Sequence, residues 1–353
     1  MVERVIEFSA RNRFIVFLFV FALSSAGLWA MRQTPVDALP DLSDTQVIVY
    51  TTWAGRSPNL VEDQVTYPIV TALLSAPNVT VVRGFSDFGY SYVYVLFKDG
   101  TDIYWARSRV LEYLNQLAGR LPEGVTPQLG PDATGVGWVF EYALVDESGQ
   151  HDLAALRSFQ DWYLRYWLRG VEGVAEVASV GGFVRQYQVN LDPTKVLAYK
   201  LSLPAIIETI RQSNNDVGGR VVEFTGIEYV IRGRGYLQST NDIEKIAVAV
   251  NENGTPILLR DVATVRLGPD MRRGLVDFNG QGEVVGGIVV MRFGQNALEV
   301  IDRVKAKVKE LEPSMPTGVK VVTTYDRSDL IRDSIGTVKD NLIEELLIVS
   351  AML

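Results

Sequence analysis

Apolar residues follow three patterns along the chain. The first is unbroken: Phe14 to Met31 carries no charge. As a helix this run is about 27 Å long, close to the hydrocarbon thickness of a bilayer. Only a helix satisfies such a backbone in lipid. Arg4, Arg11 and Arg13 precede the run and Arg32 follows it, a basic excess that favours an N-terminus on the cytoplasmic side. A cleaved signal peptide is the alternative. Its apolar core is shorter and a small-x-small site follows it, which Leu28-Trp29-Ala30 matches poorly. Ahead of the run, Val2, Val5, Ile6 and Ser9 recur at helical spacing among Glu3, Arg4, Glu7 and Arg11, which suits a short helix on the inner membrane face.

The second and third patterns take turns. β-rich runs predict strands over 46–53, 79–85 and 91–97. Between them, Leu60, Val61, Val65, Ile69, Leu73 and Leu74 predict a helix capped by Ser57, with Pro58 in its first turn and Pro68 kinking or splitting it. A second helix follows Asp102, with Ala106, Val110, Leu114 and Leu117 on its apolar face. The order reads β-α-β-β-α-β, a ferredoxin-like module.

A second module begins at Trp138 with a strand over 138–145 and a turn over 146–149. A helix capped by Asp152 carries Leu153, Leu156, Phe159, Trp162, Tyr166 and Trp167, and a return strand runs over 175–180. The pattern then changes: a strand over 184–191, a short helix opened by Asp192-Pro193, a helix over 203–212, and hairpin-like sequence as far as Gly268. Gly218-Gly219 is expected at a tight turn that needs positive φ, and Asn253-Gly254 at another. The module resumes at Gly274 with a strand over 284–292, a helix over 297–311 capped by Asn296, and a strand over 319–324. Lys98-Asp99-Gly100 and Leu121-Pro122-Glu123-Gly124-Val125 recur, equally separated, as Arg292-Phe293-Gly294 and Met315-Pro316-Thr317-Gly318-Val319. That is an internal repeat, with an insertion inside its second copy. Residues 342–353 turn apolar again. The uncharged part from Leu346 on reaches only about 12 Å as a helix, and is expected to be the start of a second membrane helix cut short.

At 353 residues, 47% hydrophobic and 22% charged, the chain can hold two or three domains with real cores. Its net charge is −8 and its Lys and Arg do not cluster, so no nucleic-acid partner is expected. With no Cys there is no disulfide, thiolate site or Cys nucleophile. The single His151 reads as a solvated loop residue and makes no H-E-x-x-H or Ser-His-Asp site. Gly130 to Gly137 is glycine-rich but lacks the Lys-Ser/Thr of a phosphate loop, and reads as a linker on which the modules hinge. Asp37, Asp41 and Asp44 could bind a cation, though caps and turns account for them better. The stripe Trp162, Tyr163, Tyr166 and Trp167 reads as core plus interface, and Met291 as core. No enzyme active site is expected, and no resident cofactor.

The order of elements, together with Thr34-Pro35-Val36-Asp37-Ala38-Leu39-Pro40-Asp41, Val65-Thr66-Tyr67-Pro68, Val82-Arg83-Gly84-Phe85-Ser86, Asp99-Gly100-Thr101-Asp102, Leu129-Gly130-Pro131-Asp132-Ala133-Thr134-Gly135, Gly268-Pro269-Asp270-Met271-Arg272-Arg273-Gly274 and Thr324-Tyr325-Asp326-Arg327, resembles the N-terminal third of the resistance–nodulation–division (RND) efflux pumps. The heavy-metal branch is the match, its copper/silver pumps above its zinc/cobalt/cadmium pumps. The resemblance implies an α+β membrane protein of the bacterial inner membrane, most of it periplasmic. It is divided as 1–32 (cytoplasmic start and first transmembrane helix), 33–135 (first ferredoxin-like porter subdomain), 136–182 with 271–330 (second porter subdomain), 183–270 (β-rich docking insertion) and 331–353 (start of the second transmembrane helix). It implies a proton-driven homotrimer in the lipid bilayer, working with a periplasmic adaptor protein and an outer-membrane channel, with a hairpin near 215–240 reaching into the next protomer. It implies that Cu(I) or Ag(I) is the transported ion and that Met271 is one step of a thioether relay, since thioether sulfur suits those ions and is poor for Zn(II). Two other readings stay open: a pump for divalent zinc, cobalt or cadmium, and a membrane-anchored periplasmic assembly or secretion module. A reporter fused after residue 33 is expected to be active in the periplasm; activity in the cytoplasm would reverse the topology.

Overall fold

The computed structural model describes residues 8–33, 37, 39–117, 119–272 and 274–352. Helix α1, Arg13–Gln33, contains the uncharged run. Among the described residues it is the one helix long and apolar enough to cross a membrane, and none of that stretch is buried.

The first module sets four strands against two helices. Strands β1 (Gln46–Thr52), β2 (Val79–Asp87), β3 (Tyr90–Phe97) and β4 (Gln128–Leu129) form an antiparallel sheet in the order β2-β3-β1-β4. Burial alternates along β1 and β3, as a sheet with one covered face requires. Val47, Val49, Val93, Val95 and Phe97 point into a core completed by helix α2, between β1 and β2 over residues 58–73, and by helix α3 (Ile103–Asn115) through Ala106, Val110 and Leu114. Helix α2 is continuous but runs in three stretches: Pro58–Val61, a π-helical turn Glu62–Thr66, and Tyr67–Leu73. Ser57 sits at its N-cap position, yet its hydroxyl makes no capping bond.

The second module repeats the plan. Strands β5 (Trp138–Asp146), β6 (Val174–Gly181), β13 (Val285–Met291) and β14 (Val319–Asp326) lie in the order β14-β5-β13-β6, the same arrangement by position in the copy. Helix α4 follows β5 as Leu153–Phe159, a π turn Gln160–Leu164, and Arg165–Arg169; helix α9 (Ala297–Leu311) follows β13. The internal repeat is visible in the backbone. Gly100 and Gly294 have φ of 78° and 75°, and Gly124 and Gly318 have 78° and 84°, conformations that L-residues avoid. Asp102 and Asn296 occupy equivalent N-caps, accepting from Trp105 N and Glu299 N.

Both π turns answer a feature of the sequence. The buried apolar residues of α2 are Val61, Val65, Ile69 and Leu73, and the buried residues of α4 are Leu156, Gln160, Leu164 and Leu168. Each set recurs every fourth residue. At about 100° per residue, a step of four overshoots a full turn by about 40°, so three steps would rotate the last residue off the core. One wider i→i+5 turn absorbs the drift. In α2 it ends at Thr66, two residues ahead of Pro68, the splitting residue expected there. In α4 no proline marks it, and the apolar face differs from the expected one: Trp162 is 84% exposed and Tyr166 70%.

Residues Gly181–Glu283, together with Asp152–Ser158 from the start of α4, form a second compact unit. Here β7 (Arg185–Leu191) pairs with β12 (Ala263–Pro269). Helices α5 (Pro193–Ala198), α6 (Leu203–Gln212), α7 (Thr240–Glu244) and α8 (Leu259–Val262) accompany the hairpins β8–β9 (Val217–Phe224, Ile227–Gly233) and β10–β11 (Ala247–Val250, Pro256–Leu258). Ile206, Ile243, Ile246, Ile257, Leu259, Val262 and Val265 make its core. Every residue of β8 and β9 is exposed. The expected role of Gly218-Gly219 as a tight turn is corrected. Both lie within β8, and Thr225-Gly226 makes the turn at φ of 54° and 78°. Gly219 is small for another reason: a Cβ there would meet the Ile231 carbonyl oxygen at 2.7 Å.

Helix α10, Arg327–Met352, starts at the residue after β14 ends. In the second module, Leu164→Ala should cost about 2–5 kcal/mol by opening a cavity, whereas Trp162→Ala should stay within about 0.5 kcal/mol of wild type. Denaturant melts of the two variants check this.

Candidate metal-handling site and the root of helix α10

Met271 lies two residues past the end of β12 and is 62% exposed. Its backbone is held on both sides. Asp270 donates its N–H to Val184 O at 2.8 Å, and its carboxylate accepts the Met271 N–H at 2.7 Å. Arg272 lies with its guanidinium carbon 5.0 Å from the centre of the Phe183 ring, pairs with Glu283, and donates through Nε to Gly274 O at 3.1 Å. The amides of Gln186 and Gln188 donate to Pro269 O at 3.2 and 2.9 Å. The thioether therefore stands outward on a fixed stretch of chain. Among the described residues no group of three or more His, Cys, Asp or Glu is placed to hold a metal ion.

The other candidates are placed differently. Met291 is half-buried, and its N–H donates to Gly137 O at 2.7 Å. His151 is not simply solvated. It is half-buried, its Nε2 lies 3.2 Å from Thr317 O, and its N–H donates to Asp146. The Ser148 hydroxyl first, and then the N–H groups of His151 and Ser148, pull the Asp146 carboxyl down to about 2. Trp162, Tyr166 and Trp167 line an open cleft of about 1020 Å³ between α4 and α9, where Lys307 sits 5.0 Å from the centre of the Trp167 ring.

The glycine-rich linker is pinned rather than loose. Gly130 N donates to Ile48 O at 2.7 Å, and Arg107 donates to Gly130 O at 2.8 Å. Asp132 accepts from Tyr104 Oη at 3.2 Å, pairs with Arg292 at 3.1 Å, and its carbonyl takes the Phe293 N–H at 2.8 Å.

A charged cluster that sequence reasoning did not single out surrounds the first turn of α10. Arg327 is 3% exposed. Its Nη1 donates to Asp37 Oδ2 at 3.2 Å, its Nη2 to Trp138 O at 2.7 Å, and its Nε is buried without a partner. Asp37 and Asp41 are thus committed separately. Burial pushes the Asp41 carboxyl up, but the Thr134 hydroxyl, Ser43 and the Arg327 charge together hold it below its ordinary value. Asp326 pairs with Lys305, which also donates to Ser328 Oγ at 2.9 Å. Arg332 reaches Ser328 Oγ at 2.9 Å and Asp302 at 2.6 Å, and Ser328 and Ile331 are fully buried.

The motifs distributed over these elements find their counterpart in known proteins: the sequence model of the AcrB/AcrD/AcrF family matches residues 5–353. The chain belongs to that family. Among family members, it is 54% identical over 352 residues to the cation efflux system protein CusA of Escherichia coli K12, covering 100% of this chain and 34% of that protein. It is 38% identical over 360 residues to the cobalt-zinc-cadmium resistance protein CzcA of Cupriavidus metallidurans, covering 100% of this chain and 34% of that one. The crystal structure of a heavy metal efflux pump superposes with a TM-score of 0.87 at 32% identity, over 97% of this chain and 34% of that one. The chain spans about a third of the length of these relatives.

The cluster has a pH signature. Burial raises the Asp326 carboxyl, but the Lys305 ammonium and the Ser328 hydroxyl and N–H outweigh it, so the folded value lies below the ordinary 3.8. Its stabilising share is complete above the ordinary value and is lost as pH falls through the folded one. Asp326→Asn should therefore cost about 1.5–3 kcal/mol at pH 7, the worth of a hydrogen bond to a charged group. The gap to wild type should close on acidification below pH 3.8. Denaturant melts across pH read it.

Proposed function

We propose that this chain is the N-terminal part of a proton-driven RND pump that exports heavy-metal ions across the cell envelope, with Cu(I) or Ag(I) as cargo. The family membership supports the transport class. The greater identity to CusA than to the cobalt-zinc-cadmium protein favours the copper/silver reading over a divalent pump. In this reading α1 anchors the chain in the inner membrane and the two modules are ferredoxin-like porter subdomains of the periplasm. Their boundaries are 33–135 and 136–182 with 271–330, residues 183–270 are the docking insertion, and 331–353 begins a second membrane helix. The β-α-β-β-α-β succession and the matching strand orders support the module assignment. The exposed hairpin β8–β9 suits insertion into a neighbouring protomer of a trimer, with an adaptor and an outer-membrane channel completing the complex.

The observation that carries the metal reading is Met271, an exposed thioether on a backbone fixed by Asp270 and Arg272. A lone soft ligand is suited to passing a monovalent soft ion onward rather than storing it. Met271→Leu keeps size and apolarity while removing sulfur, so packing should change by less than about 1.5 kcal/mol. Silver export into vesicles under an imposed proton gradient should fall in this variant with abundance and assembly unchanged. Wild-type export would remove Met271 from the route. Met271→Ala is less informative, because it also changes side-chain volume.

A further inference from the structure

Three of the motifs quoted above have no part in the Met271 route, yet they meet at one point. Asp37 and Asp41 come from the connector after α1, Thr134 and Trp138 from the linker and the start of β5, and Asp326-Arg327 from the junction of β14 and α10. The buried guanidinium of Arg327 joins them: Nη1 to Asp37, Nη2 to Trp138 O, and its charge to Asp41.

The junction has no slack. Strand β14 ends at Asp326 and α10 begins at Arg327. Ser328 and Ile331 have no exposed surface, and Lys305 and Arg332 tie this turn to α9 through Asp326, Ser328 and Asp302. A tilt of α10 is therefore not taken up by a loop. It passes to β14, and through the Arg327–Trp138 bond to β5, its neighbour in the sheet. The Asp37 bond brings the connector from α1 along.

We propose that Arg327 is a coupling residue: by clamping the α1 connector, β5 and the root of α10 together, it makes movement of α10 move the second module's sheet. The proposal rests on the export reading above. Arg327 touches no cargo, so it acts on turnover and leaves metal affinity alone.

The test uses the membrane-embedded pump and two variants of similar side-chain size, compared at equal abundance and assembly. Asp37→Asn removes the paired charge, and Arg327→Lys keeps a buried cation but replaces the wide guanidinium fork, whose two terminal nitrogens reach Asp37 and Trp138 O separately, with one compact ammonium. Silver transport in vesicles should show a maximal rate at least about tenfold lower in both, with the half-saturating silver concentration unchanged. A second measurement needs no metal. The chain has no Cys, so spin labels can be placed on cysteines introduced at Leu42 and Val338, which are 87% and 59% exposed. Their distance distribution should be narrow in the parent and broad in both variants. Wild-type rates, a raised half-saturating concentration, or distances that stay narrow while the rate falls would each overturn the coupling role. If the parent moves no silver, the export reading fails by itself, and the label distances alone decide whether the clamp exists.

Discussion

A guanidinium taken out of water costs several kcal/mol unless its donors are met. Arg327 is buried, and the chain meets two of its three nitrogens, Nη1 with a carboxylate from residue 37 and Nη2 with a carbonyl from residue 138, while Nε stays unmatched. Those partners lie far apart in sequence. Burying Arg327 therefore requires the connector after α1, the entry to the second sheet and the start of α10 to come together. The neighbouring pairs Lys305–Asp326 and Arg332–Asp302 extend the same logic to α9. Charge here enforces arrangement more than it adds stability.

Around that junction the modules are built by burial. Each uses one sheet face and two helices, and each meets the same geometric problem in its first helix. A core face repeating every four residues suits an almost straight row of side chains across a sheet, but a regular α-helix cannot present it. Both copies resolve the mismatch with a π turn, Glu62–Thr66 and Gln160–Leu164. Gln160, wholly buried in the second turn, is matched by the Tyr142 hydroxyl, which donates to it at 2.9 Å. The same demand, that a buried polar group find a partner, governs Thr66, which lies 2.7 Å from Ser86 Oγ and donates to Ser91 at 2.8 Å.

The insertion solves a different problem. Its own core is small, and it leaves a long hairpin wholly exposed, with Val221, Phe224, Ile227 and Val230 uncovered. Met271 lies where this unit's last strand ends, and the ion pair and ring contact of Arg272 hold that end in place. The thioether of Met271 thus stands outward on a restrained stretch of backbone.

Much of this was legible in the chain itself. Helices 203–212 and 297–311, the Asp102 and Asn296 caps, the internal repeat and the apolar run of α1 follow from local periodicity, capping chemistry and composition. These act over a few residues and do not depend on the rest of the fold. Tertiary structure decided what local rules leave degenerate. The wider turn in α4 was encoded as a four-residue spacing, but only the sheet beneath it shows which apolar residues face inward, so the aromatic stripe took the place of Leu164 and Leu168 in the sequence reading. Gly218 and Gly219 are permissive residues, and whether permissiveness serves a turn or a close strand contact depends on Ile231 across the hairpin. Met271 was named as a candidate from its motif, but its exposure was not readable there. Arg327 was invisible as a site, because one arginine in a row of polar residues looks like surface until Asp37 and Trp138 arrive from distant parts of the chain and close over it.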